Sequence, residues 1–379
     1  MKRLIVGITA LIVFGICAPA SILAEVSVDP FPLIWGAGAQ LGYRFGDERL
    51  PTTAEIGAAA AISTSGFFRT PDGSLYSGNL AGFDPGQAPY FSRRMIWWNT
   101  GLRQSVIVSG VPDKPFLEIF LRYVGIREWH VDDDEPRLLF DSEIPLAERD
   151  GQWLNTVRVG VEVGNILRSE ISGARRGWDG HVTLEWGPGF LANRVVGEAD
   201  FARVGTQLRG FVPLYEALPR ISQEDGEELN RFALYAGAYA AADYAWGERV
   251  PLSARRSIVG PLFDRHGLGG SIRGYEAGRY DAQFKLAGSV ELRAILPAIA
   301  RPDVLPGLVT YFDAGTYRGF DDYESGADVI GTAYGAGGGI SISLFDAVTL
   351  VFYTQAALDE PLVTGDRITP FAIGFGYHF

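Results

Sequence analysis

The stretch Thr156–Gly164 reads TVRVGVEVG and sets Val157, Val159, Val161 and Val163 on one side of an extended chain, with Arg158 and Glu162 on the other. Successive side chains of a strand point to opposite faces, so the run predicts a strand with one apolar and one polar face. The same period of two recurs along the chain. In HVTLEWG, Val182, Leu184 and Trp186 oppose His181, Thr183 and Glu185; in SVELRAIL, Val290, Leu292 and Ala294 oppose Ser289, Glu291 and Arg293. At the carboxyl end, FAIGFGYHF sets Phe371, Ile373, Phe375, Tyr377 and Phe379 against Ala372, Gly374, Gly376 and His378. The pattern predicts strands near 34–45, 54–65, 93–109, 114–128, 153–166, 178–189, 195–212, 229–246, 281–295, 306–317, 333–344, 346–358 and 369–379. The stretches 66–92 and 129–152 leave room for more.

A soluble sandwich also alternates. Two features favour a transmembrane antiparallel β-barrel, whose apolar face meets lipid and whose polar face lines a wet lumen. Long strands follow one another with no helices to cover either face, and the chain opens on MKRLIVGITALIVFGICAPASILAEVS. Its basic start, short apolar run and small-residue sites predict a signal peptide over 1–24, cleaved after Ala20 or Ala24. Cys17, preceded by Phe14-Gly15-Ile16, lacks the context of a lipoprotein signal, so the exported chain is expected to carry no cysteine and no disulfide. No later segment holds about 18 uninterrupted apolar residues, which argues against a spanning helix. The remaining 25–379 reads as a single barrel, with its first strand too close to the mature terminus for a separate periplasmic domain.

Composition agrees: 48 glycines and 12% aromatic residues suit many strands joined by tight turns. Without Lys2 and Arg3, 45 acidic side chains face 31 basic ones, a net charge of −14 that repels nucleic acid. The acidic runs Asp132–Glu135 and Gln223–Glu228 read as solvated caps over one end of the barrel, with a divalent-cation role at a lipopolysaccharide surface as the alternative.

A search for chemistry assigns no catalytic residue, no metal ligand and no cofactor. His130, His181, His266 and His378 are scattered, and no HExxH, GxSxG or GxxxxGK[ST] spacing occurs. His181, Thr183 and Glu185 come nearest to a hydrolytic cluster, but a polar row lining a lumen explains them as well. Gly335–Gly339 resembles a phosphate loop only in its glycines; within a strand, such glycines mark bending or the close approach of another segment.

One stretch departs from the strand pattern. GGSIRGYEAGRYDAQ, Gly269–Gln283, holds four glycines around Ile272-Arg273-Gly274-Tyr275. It is followed by Glu291-Leu292-Arg293, then Tyr311-Phe312-Asp313-Ala314-Gly315, then three more expected strands ending on Phe379. This succession resembles the carboxyl-terminal barrel of the BamA/TamA-type outer-membrane proteins, the bacterial surface antigen family, over about 255–379. A fainter similarity covers Gly164–Arg168 and Arg176–Trp178, where Asn165 stands in place of the family's aspartate.

The resemblance implies an outer-membrane barrel of 16 strands in a Gram-negative bacterium, without periplasmic domains. It implies a long extracellular loop folded into the lumen, its tip Ile272–Tyr275 locked by Arg273 on Glu291 and Asp313. The strand pattern independently turns both carboxylates inward. Such a lock is either a fixed plug or part of an activity. In the latter case the resemblance implies outer-membrane protein insertion or polypeptide translocation, through a seam between the first and last strands; the former gives a passive channel or structural surface-antigen barrel. Gly374, Tyr377 and Phe379 fit the terminal pattern by which barrels are recognised for assembly, and also an aromatic girdle. The implied partners are outer-membrane lipid and lipopolysaccharide, the barrel assembly machinery, and a separate periplasmic protein or client.

Overall fold

The computed structural model describes residues 21–31, 34–46, 50–66, 90–108, 115–131, 146–148, 150–169, 173–217, 232–260, 271–275, 280–297, 304–319, 330–344, 348–358 and 368–375. They form one antiparallel meander of fourteen strands, each paired with its neighbours in sequence. The strands are β1 (Ser21–Phe31), β2 (Ile34–Gly46), β3 (Pro51–Gly66), β4 (Tyr90–Val108), β5 (Pro115–Val131), β6 (Gln152–Arg168) and β7 (Arg175–Gly187). They continue with β8 (Asp200–Ala217), β9 (Phe232–Arg249), β10 (Phe284–Ile295), β11 (Val304–Arg318), β12 (Ile330–Leu344), β13 (Val348–Ala357) and β14 (Ile368–Phe375). Among the described residues no helix is long and apolar enough to cross a membrane, which leaves open a crossing by strands.

The thirteen strands expected from the sequence correspond to β2–β14. The additional strand, β1, comes before them and makes the described number fourteen against an expected 16; most of 66–92 and of 129–152 lies outside the described residues. Of the two expected cleavage positions, Ala20 lies just before β1, and Ala24 lies inside it opposite Leu41. The largest boundary error is at β8, expected from 195. A 3-10 turn at Gly189–Leu191 and a left-handed Ala192 (φ 65°) delay that strand to Asp200. The leader through Ala20, the acidic runs, His266, His378, Tyr377 and Phe379 lie outside the described residues. The two acidic runs belong to the joins from β5 to β6 and from β8 to β9.

The faces divide as the alternation requires. Val159, Val161, Val182, Leu184, Trp186, Val290 and Leu292 are exposed on one side, while His181, Thr183, Glu185, Ser289 and Asp313 are buried on the other. Contacts from one connection, 250–283, reach this inner face from β6 to β13, so the sheet curves around it in a barrel-like form. Charges on the inner face neutralise one another across strands. Glu118 and Glu162 lie directly opposite, a repulsive register, and Arg103 of β4 bonds both, at 2.9 and 2.5 Å. Arg122 and Arg158 are likewise opposite; one turns to Glu55 (2.8 Å) and the other to Glu185 (2.8 Å).

Candidate functional site

The connection from β9 to β10 is held against the inner face at two places. Its tip, Ile272–Tyr275, lies over two rows of side chains that the register builds across β10–β13. One row is Ser289, Asp313, Gly335 and Ala357; the next is Glu291, Tyr311, Gly337 and Gln355. Strand alternation alone turns every member of both rows to the same face.

Arg273 contacts the first two members of each row. Its backbone amide and Nε donate to Asp313 Oδ2 at 2.9 and 2.8 Å, and Nη2 donates to Asp313 Oδ1 at 2.7 Å and to Ser289 Oγ at 2.9 Å. Nη1 donates to Glu291, whose other oxygen accepts from Arg293 Nε at 2.7 Å. The guanidinium carbon lies 3.4 Å from the centroid of the Tyr311 ring, a stacked cation–π contact. Burial opposes the charge on Arg273, but its hydrogen bonds and ion pairs with Asp313 and Glu291 outweigh burial and raise its pKa above the ordinary arginine value. The forked, planar donor set satisfies two carboxylates and a hydroxyl at once, which an ammonium cannot do.

Neighbouring tip residues fix the approach. Gly274 has φ 101°, a left-handed conformation, and its amide donates to Gln355 Oε1 at 2.8 Å. Tyr275 donates its hydroxyl to the Tyr334 carbonyl at 3.2 Å, and Ile272 is buried among Ile258, Tyr280, Tyr317 and Ala333. Gly335 faces the tip directly: a Cβ there would lie 2.2 Å from the Arg273 carbonyl oxygen. Gly335 therefore accommodates a second segment, whereas Gly337 and Gly339 lie close against the neighbouring strands. The structure thus brings together Ile272, Arg273, Gly274, Tyr275, Glu291 and Asp313. Of the carboxyl-terminal group, Gly374 lies in β14 opposite Val351, while Tyr377 and Phe379 lie outside the described residues.

The second attachment, which the sequence reading did not find, holds the base of the connection, Pro251–Gly260. This segment begins with a one-turn helix, α1 (Leu252–Arg255). The backbone amide of Leu252 donates to the Glu148 carboxylate at 3.2 Å, and Arg203 Nη1 donates to Ser257 Oγ at 2.8 Å. Asp243 Oδ2 accepts the Val259 amide at 2.9 Å, and Gln207 Nε2 donates to the Val259 carbonyl at 3.2 Å. Lys285 Nζ lies 3.1 Å from each of the carbonyls of Ala254, Arg255 and Ala282, and 3.0 Å from Asp243 Oδ1. Glu185 joins Thr156, Arg158 and Arg203. It is therefore part of this support, on the same inner face as the buried His181 and Thr183.

No family model matches the chain, and no curated protein matches it. Solved structures do. CdiB from Escherichia coli is 15% identical, with 94% of this chain aligned to 57% of that one at a TM-score of 0.50. CdiB from Acinetobacter baumannii gives 14%, 94%, 52% and 0.48 for the same quantities. BamA from Haemophilus ducreyi lacking POTRA domains 1-3 gives 13%, 94%, 69% and 0.47. The chain spans from about half to about two thirds of the length of these proteins. At such identity the likeness is one of fold.

Proposed function

We propose that this chain is an outer-membrane β-barrel that takes part in outer-membrane protein insertion or polypeptide translocation, without enzymatic chemistry. In this reading the signal peptide is removed after Ala20, which leaves β1 whole, β1 and β14 meet in a seam that closes the barrel, and the connection from β9 to β10 enters it from the outer end. The 16-strand expectation came from the family resemblance; the fourteen described strands are also an even number, which lets the first and last strands meet antiparallel. The observation that carries the reading is the attachment of Arg273 to Asp313 and Glu291 from a connection folded onto the inner face. It pairs with the BamA/TamA resemblance of the same residues and with the CdiB-like fold. The terminal strand would present the chain to the barrel assembly machinery, and the apolar face would meet lipid and lipopolysaccharide.

The test is depletion of the protein followed by quantitative proteomics of the outer membrane. Loss of one or more other barrels or secreted polypeptides supports the role, and an unchanged outer membrane overturns it. A second reading, a passive channel with a fixed plug, is favoured by the burial of the base: the side chains of Lys285 and Asp243 are both 0% exposed. Planar-bilayer conductance addresses that reading. A plug predicts low conductance that rises when Arg273→Ala frees the tip.

A further inference from the structure

The two attachments differ in chemistry. At the base, wall side chains bind mainly the backbone of the connection: the Leu252 and Val259 amides and the carbonyls of Ala254, Arg255, Val259 and Ala282. Lys285 and Asp243 face each other directly across the β9–β10 ladder, and neither side chain is reached by water. Lys285 supplies the carbonyls at the end of α1, which has no following turn to receive them. Both groups belong to the wall, so pulling the base away would leave them paired with each other but would take three carbonyls from Lys285 and the Val259 amide from Asp243. The tip carries one charged anchor, the Arg273 side chain, which is 19% exposed; beside it stand single bonds from the Gly274 amide and the Tyr275 hydroxyl and the packing of Ile272 on Ile258 and Tyr280. Water can replace its partners one at a time, and segments of that kind open locally well before the global structure does.

We infer that Lys285 and Asp243 are positioning residues that fix the base permanently in the lumen, so that the tip around Arg273 is the separately movable part of the connection. Whatever moves through or beside the barrel would then displace the tip alone, with Tyr280–Gln283 and Pro251–Gly260 as a fixed mount. This rests on the proposed reading of the connection as a lumenal element of a membrane barrel, but it concerns its mechanics and not its client.

The experiment uses the exported chain, which in the proposed reading has lost Cys17 with its leader and carries no other cysteine, reconstituted in phosphatidylethanolamine–phosphatidylglycerol vesicles. Val259→Cys reports on the base and Ile272→Cys on the tip, both fully buried positions. Labelling by a membrane-impermeant maleimide is timed alone and together with Arg273→Ala or Lys285→Met. Arg273→Ala is expected to speed labelling at position 272 at least tenfold and to leave position 259 within twofold. Lys285→Met is expected to speed labelling at 259 at least tenfold. Should Lys285→Met lose the heat-modifiable mobility of a folded barrel, Asp243→Asn is read in its place. Arg273→Ala exposing both positions together, or a base that stays protected when its clamp is altered, overturns the inference. No client is measured, so loss of the insertion proposal and loss of this one are separate outcomes.

Discussion

Arg273 meets Asp313 through both its backbone and its side chain: the amide and Nε converge on Oδ2 at 2.9 and 2.8 Å, while Nη2 takes Oδ1 at 2.7 Å. One carboxylate thereby fixes the path of the chain and the orientation of the guanidinium together. A side chain fully buried on β11 sets the position of a connection forty residues earlier.

Arg273→Lys should therefore not rescue Arg273→Ala. The ammonium keeps the charge but loses the fork and the planar stack on Tyr311. Both variants should lower folded-state stability by about 3 kcal/mol, the scale for stranding one partner of a largely buried ion pair. The midpoint of heat-modifiable gel mobility measures this; a lysine variant as stable as the parent would show that charge alone suffices.

Gly335→Ala should displace the tip without altering any charge, because its Cβ meets the Arg273 carbonyl at 2.2 Å. Limited proteolysis of the connection and single-channel conductance should change in the same direction as in Arg273→Ala. Gly274→Ala should add a backbone cost of about 1 kcal/mol for its positive φ.

Asn193→Ala should destabilise the β7–β8 turn. The Asn193 side chain is fully buried; its Oδ1 accepts the Asn155 amide at 2.6 Å, and its Nδ2 donates to the Asn155 and Pro188 carbonyls at 2.9 and 3.0 Å. Removing it leaves a buried donor unmatched, at a cost of about 1–3 kcal/mol. Thermal unfolding followed by circular dichroism reads the loss.

Glu148 carries a pH dependence. Burial pushes its pKa above the ordinary value of 4.5, against the opposing pull of Arg255 and the Leu252 amide. The folded state thus binds this proton more tightly than the unfolded chain does. Its contribution favours folding as pH falls through the raised pKa toward 4.5, and that advantage is lost as pH rises. Glu148→Gln, which keeps an acceptor for the Leu252 amide, should raise the melting temperature at pH 7 and lose the advantage near pH 4. Parallel melting curves across this range would contradict the assignment.

The sheet was legible because each wall strand carries its own two-sided pattern, independent of its neighbours. Val182, Leu184 and Trp186 face out for the reason their sequence suggests. β1 was not, because Ser21–Phe31 directly follows a leader-like run and its alternation is interrupted by Pro30. The tip was legible as an arginine flanked by glycine, with carboxylates on two later alternating strands. The base was not: Asp243 and Lys285 look like ordinary inward polar positions until the β9–β10 register sets them face to face. Nothing in Pro251–Gly260 advertises that its backbone is what the wall grips. The two rows under the tip were likewise hidden, since Ser289, Tyr311, Gly335 and Gln355 become neighbours only through three successive registers.

Most wall groups that grip the base precede it in the chain, from Glu148 to Asp243, whereas the hydrogen-bond partners of Arg273, Gly274 and Tyr275 on the wall follow it, from Ser289 to Gln355. A break between Gly260 and Ser271 would leave each half of the sheet with its own piece of the connection already seated. Lys285 is the exception, reaching back from the later half to the carbonyls of Ala254 and Arg255. Two co-produced fragments divided there would thus carry matching halves of a buried joint, making this connection a natural place to split and reassemble the molecule.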